Sequence, residues 1–65
     1  MIKVNGNPIE DIAGKTIAEY LAQNNYDTKY VAVELNGDIL PKSLYTGTAL
    51  KDGDTVEVVS FVGGG

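Results

Sequence analysis

Apolar positions repeat every second residue at both ends of the chain and at helical spacing in between. Ile2 and Val4 flank Lys3, the period of a half-buried strand. Asn5-Gly6 follows, a pair that tolerates the positive φ of a two-residue hairpin turn. The returning strand, about 7–10, contains Pro8, which cannot donate to a ladder and so belongs at a sheet edge. After the loop Ala13-Gly14-Lys15, Thr16 and Glu19 have the T-x-x-E spacing of a capping box. Ile17, Tyr20 and Leu21 then fall at i, i+3 and i+4, which predicts a helix of about three turns with one apolar face. Asn24-Asn25 is a stop for it, with Tyr26 folding back on Leu21.

The second half reads as strands. In Tyr30-Val31-Ala32-Val33-Glu34-Leu35, the residues Val31, Val33 and Leu35 share one face. Asn36-Gly37 is a second hairpin turn, and Ile39-Leu40 begin a return that Pro41 stops. Residues 42–49 are irregular, with one helical turn expected to fold Leu44 and Tyr45 inward. Lys51-Asp52-Gly53-Asp54 is a turn that launches the last strand, which runs from Thr55 towards Val62. In that strand Val56 and Val58 alternate with Thr55 and Glu57, but Val59 and Phe61 take the polar parity. Either a bulge turns them inward, or an apolar pair is exposed beside the end of the chain as a docking surface. The pattern leaves both open. The order of elements implies an α+β fold: a mixed sheet of four or five strands with one helix packed across one face. We expect the last strand to insert beside the first, a placement that periodicity does not supply.

Composition narrows the chemistry. The 65 residues make one domain, and 43% hydrophobic content suffices for one core. Cysteine and histidine are both absent, which excludes thiol nucleophiles, thiolate metal sites, a Ser-His triad and the commonest metal ligand. Nine acidic against five basic residues give a net charge of −4, which disfavours nucleic acid and favours basic protein partners. No apolar run approaches the ~20 residues of a membrane helix, and the start lacks a basic-then-apolar leader, so no membrane association and a cytoplasmic location are expected. Gly14-Lys15-Thr16 mimics the end of a phosphate-binding loop, but Ile9 stands where that motif needs another glycine. Asp52-Gly53-Asp54 lacks the twelve-residue spacing of a Ca²⁺ loop and reads as a turn. No internal catalytic residue and no metal site emerge.

What remains is Gly63-Gly64-Gly65, directly after a strand. Three glycines at a random terminus arise roughly a few times in ten thousand. A terminal carboxylate titrates near ~3.5, so it is ionised and inert unless another enzyme activates it, for example as an acyl adenylate. Glycines without side chains let a narrow channel admit it, with ~10 Å of reach.

The segments Val31-Ala32-Val33-Glu34-Leu35-Asn36-Gly37, Pro41-Lys42-Ser43, Leu50-Lys51-Asp52-Gly53-Asp54-Thr55-Val56-Glu57-Val58-Val59 and Val62-Gly63-Gly64-Gly65 occur in an order that resembles the ThiS family of thiamine-biosynthesis sulfur carriers. That family lies within the ubiquitin-like β-grasp superfamily, and the resemblance covers nearly the whole chain. It implies a β-grasp domain over 1–62 with parallel first and last strands, followed by a flexible glycine tail over 63–65. It implies a carrier that is acted on and is not itself an enzyme. An E1-like, ThiF-like enzyme would use ATP to adenylate Gly65, and a desulfurase or relay protein would supply sulfur for a C-terminal thiocarboxylate. A ThiG-like thiazole synthase would receive that sulfur. On this reading Gly63 and Gly64 thread into partner active sites, while Val59, Phe61 and Val62 are the candidate docking surface. No cofactor would be bound, since ATP is consumed by the partner, and the free protein would be a monomer. Two other readings share the tail: a molybdopterin synthase small subunit, whose members are generally longer, and a ubiquitin-like modifier joined to lysines.

Overall fold

The computed structural model describes residues 1–61. Five strands form one mixed sheet: β1 (Ile2–Val4), β2 (Asn7–Ile9), β3 (Val31–Leu35), β4 (Asp38–Leu40) and β5 (Thr55–Ser60). Their order across the sheet is β2-β1-β5-β3-β4, with β1 and β5 parallel and the other pairs antiparallel. The last strand therefore lies at the centre beside the first, as the β-grasp expectation required. Both hairpins turn on Asn-Gly with positive φ at each position, Asn5 at 51° and Gly6 at 83°, Asn36 at 53° and Gly37 at 90°. This is the two-residue turn whose twist matches the flanking strands. Pro8 sits in β2, an edge strand, where its missing N–H removes no bond from the sheet interior.

Among the described residues a single α-helix, α1 (Ile17–Gln23), covers one face of the sheet. Its start is as the sequence predicts. Thr16 Oγ1 accepts the Glu19 N–H at 3.1 Å and Glu19 Oε1 accepts the Thr16 N–H at 2.8 Å. Its end is a Schellman cap: Tyr26 N–H donates to the Leu21 carbonyl at 2.9 Å, Asn25 N–H to that of Ala22 at 3.2 Å, and Asn25 takes φ 62°. With seven residues the helix has about two turns, one fewer than expected. So short a helix is marginal alone, and its position is tied down by neighbouring backbone. Ile17 N–H donates to Thr48 O, Gly14 N–H to Leu50 O, and Leu50 N–H to Lys15 O, all at 2.8–2.9 Å.

Between sheet and helix lies a core built from Ile2, Val4, Ile17, Leu21, Val31, Val33, Leu50, Val56 and Val58, closed at its ends by Ile12, Tyr20 and Tyr45. Two local expectations are corrected. Tyr30 belongs to a 3₁₀ turn, Thr28–Tyr30, capped by Asp27, and β3 starts one residue later. Lys42–Gly47 is also 3₁₀, and while Tyr45 is buried, Leu44 is 50% exposed. With three residues per turn, adjacent side chains point about 120° apart, so Leu44 and Tyr45 cannot both face the core.

Candidate functional site

Because β5 lies at the sheet centre, whatever follows it is launched from the most constrained strand of the fold. Side chains reinforce that strand from both neighbours. Past Val4, where β1 turns away, Asn5 Oδ1 accepts the Val58 N–H at 2.7 Å and Asn5 Nδ2 donates to the Val58 carbonyl at 3.3 Å. The amide copies a peptide unit and prolongs the β1–β5 ladder. On the other side Asn36 Oδ1 accepts the Thr55 N–H at 2.9 Å, and Asn36 Nδ2 donates to Asp54 Oδ1 at 3.0 Å. The second oxygen of this buried carboxylate accepts the Lys51 N–H at 2.9 Å. Among the described residues no buried side-chain polar atom is left without a partner. Past Ser60, Phe61 N–H still donates to the Tyr30 carbonyl at 2.8 Å. Sequence reasoning took Asn5 and Asn36 only as turn formers; their second task depends on knowing which strands flank β5.

The parity anomaly in β5 is resolved by its register. Pairing with β3 is unbroken from Leu35↔Val56 to Val31↔Ser60, so no bulge intervenes. Val59 and Phe61 therefore face away from the core, 56% and 48% exposed. Val59 lies opposite Ala32, and Ile39 of β4, 74% exposed, lies beside Glu34 on that same outer face. The Lys42 ammonium stands 6.0 Å from the centre of the Phe61 ring. The result is an open sheet face with apolar residues around the start of the terminal segment. Of the candidate site residues, the structure brings Val59 and Phe61 together on this face. Val62, Gly63, Gly64 and Gly65, with the boundary expected at 62/63, lie outside the described residues.

Elsewhere the backbone is already engaged. The Gly14 and Lys15 amides donate to Leu50 O and Ile12 O, and the Thr16 hydroxyl caps α1, so this loop serves the fold. Asp54 is consumed by the turn it closes. The Met1 ammonium hydrogen-bonds Asp52 and holds its exposed carboxyl below the usual carboxylate range. Burial, with Tyr26 nearby, pushes the Tyr20 phenol up. Neither group lies on the open face. No helix among the described residues is long and apolar enough to cross a membrane.

A five-stranded mixed sheet grasping one helix, with parallel first and last strands, defines a ubiquitin-like β-grasp protein. Its nearer kinship is given by comparison. Residues 2–65 match the model of the ThiS family. The chain is 39% identical over 69 residues to the sulfur carrier protein ThiS of Bacillus subtilis (strain 168), with both chains covered in full. It is 42% identical over 62 residues to a thiazole synthase of Paramagnetospirillum magneticum, aligning 95% of this chain with 19% of that protein's length. The crystal structure of the thiamine biosynthesis protein ThiS from Geobacter metallireducens superimposes with a TM-score of 0.78 at 36% identity, covering 98% of this chain and 97% of that one. The chain belongs to the ThiS family, a family of sulfur carriers in thiamine biosynthesis.

Proposed function

We propose that this chain carries sulfur for the thiazole of thiamine as a thiocarboxylate on Gly65. The observation that supports it most directly is the open apolar face around Val59 and Phe61, at the end of the strand that leads into the glycines. A tail that must be ordered in a partner's active site loses about 1–2 kcal/mol per residue, and the globular surface has to offset that loss. In the proposed cycle an E1-like enzyme joins the Gly65 carboxylate to the AMP moiety of ATP and pyrophosphate leaves. A persulfide on a desulfurase or relay protein then displaces AMP from the acyl carbon, and a partner thiol cleaves the S–S bond of the resulting acyl disulfide, releasing the thiocarboxylate and leaving a disulfide on the partner side. The thiocarboxylate passes its sulfur to a thiazole synthase and the carboxylate returns. The match between this chain and part of a thiazole synthase supports that last partner. The chain acts as co-substrate throughout; Gly63 and Gly64 give passage, and Val59, Phe61 and Val62 make the docking contact.

Incubation with an E1-like enzyme, ATP and a sulfur donor tests this, with intact mass as readout. Exchange of one oxygen for sulfur is the expected result, and removal of Gly65 should abolish it. An unchanged mass, with isopeptide adducts to lysines in lysate, would replace the carrier by a protein modifier.

A further inference from the structure

Pro41-Lys42-Ser43 is part of the pattern that carries the family resemblance, yet the carrier chemistry gives it no task. The fold supplies one. Pro41 follows β4, and its carbonyl accepts the Leu44 N–H at 2.9 Å as the 3₁₀ turn Lys42–Gly47 begins. That reversal brings the Lys42 side chain to the place where β3 begins and β5 ends. There, two adjacent carbonyls of the Thr28–Tyr30 turn act as a pair. The Lys29 carbonyl accepts a hydrogen bond from the Lys42 ammonium at 3.3 Å, and the Tyr30 carbonyl accepts the Phe61 N–H at 2.8 Å. The same ammonium, 6.0 Å from the centre of the Phe61 ring, is within range of a cation–π attraction. Phe61 is thus held twice, by its backbone on Tyr30 and by its ring against Lys42.

We infer that Lys42 is a positioning residue for the tail: it acts through Phe61 and fixes where the terminal segment leaves the domain. Residues 62–65 span ~13 Å when extended, so the placement of Phe61 limits where the Gly65 carboxylate can be delivered. An anchor ordered before docking lowers the ordering cost that the partner surface must offset. The inference rests on the carrier reading and adds a residue that none of the proposed docking contacts includes. A merely solvated lysine would leave delivery unchanged. A lysine that touched the partner itself would act without Phe61.

The test uses the full chain, its Lys42→Met, Lys42→Arg and Phe61→Leu variants, the Lys42→Met/Phe61→Leu double variant, and the E1-like enzyme with ATP. Methionine keeps an apolar stem and loses both charge and donor, whereas arginine keeps all three. KM and kcat for adenylation, Tm, and hydrogen exchange at the Phe61 amide are recorded. Lys42→Met should raise KM about two- to fivefold and speed that exchange by a similar factor, the range of an exposed cation–π contact. kcat and Tm should stay near the wild type, because an anchor set before docking contributes to binding and not to the chemical step. Lys42→Arg should restore both readings. In the Phe61→Leu background Lys42→Met should add nothing, since an effect carried by the ring vanishes with it. A wild type that is adenylated normally, beside a Lys42→Met variant with the same KM or the same exchange rate, would overturn this inference and leave the carrier standing. So would a KM that arginine fails to restore. An undiminished effect of Lys42→Met in the Phe61→Leu background would place the lysine directly against the partner and overturn it too. A Tm lowered enough to account for the higher KM would do the same, since Lys42 would then be supporting the fold. A wild type that is not adenylated at all would overturn both readings.

Discussion

Asn5 carries two requirements in one side chain. Its backbone holds φ 51° at the first turn position, and its amide makes both bonds to Val58. Replacement separates them. Asn5→Gly accepts the positive φ but loses the amide, so a loss of about 1–2 kcal/mol is expected. Asn5→Ala loses the amide and also strains the turn, so its urea midpoint should fall further than that of the glycine variant. If both variants unfold at the wild-type midpoint, the amide does not hold β5. Asn36 performs the matching task at Thr55, with Asp54 as its second partner. The two asparagines were legible in the sequence as turn residues because turn chemistry is local. Their grip on β5 was not, since Asn5 and Val58 meet only after the strands assemble.

Secondary elements follow local chemistry closely where a cap or turn decides, and less closely where packing does. The Thr16–Glu19 box and the Asn25 cap bound α1 where the sequence places them. Residues 42–47 show the opposite case, because an apolar pair in an irregular stretch does not reveal the rotation of a 3₁₀ turn. Buried Leu21 and half-exposed Leu44 therefore respond differently to the same change. Leu21→Ala should destabilise the protein by about 2–5 kcal/mol, a large part of the stability of a domain this small. Leu44→Ala should stay within about 0.5 kcal/mol of the wild type. Denaturant titration of the two variants distinguishes them, and equal losses would place Leu44 in the core.

At the scale of the whole molecule, the sheet has one face committed to α1 and the core and another left open. The docking role of the open face makes a prediction that stability measurements cannot mimic. Val59→Ser and Phe61→Ser remove apolar surface that is already about half exposed, so thermal melting should change little. Adenylation by the E1-like enzyme should nevertheless slow, mainly through a higher KM. Unchanged KM values would move the docking contact to some other surface. A drop in Tm large enough to account for the loss would show that these residues support the sheet.

Pattern and composition alone determined that the chain folds as α+β, that two Asn-Gly hairpins and a capped helix occur in a set order, and that chemistry based on cysteine or histidine is excluded. These properties depend on residues within a few positions of one another, or on simple counts. The parallel pairing of β5 with β1 was implied by the family resemblance and not by pattern, and the tertiary structure placed β5 at the sheet centre between β1 and β3. It alone put Val59 and Phe61 on the uncovered face. Parity states that Val59 points opposite to Val58, but not which of the two sides a helix will cover. The meeting of Lys42 with Phe61 has the same origin, because folding joins residues that the sequence keeps far apart.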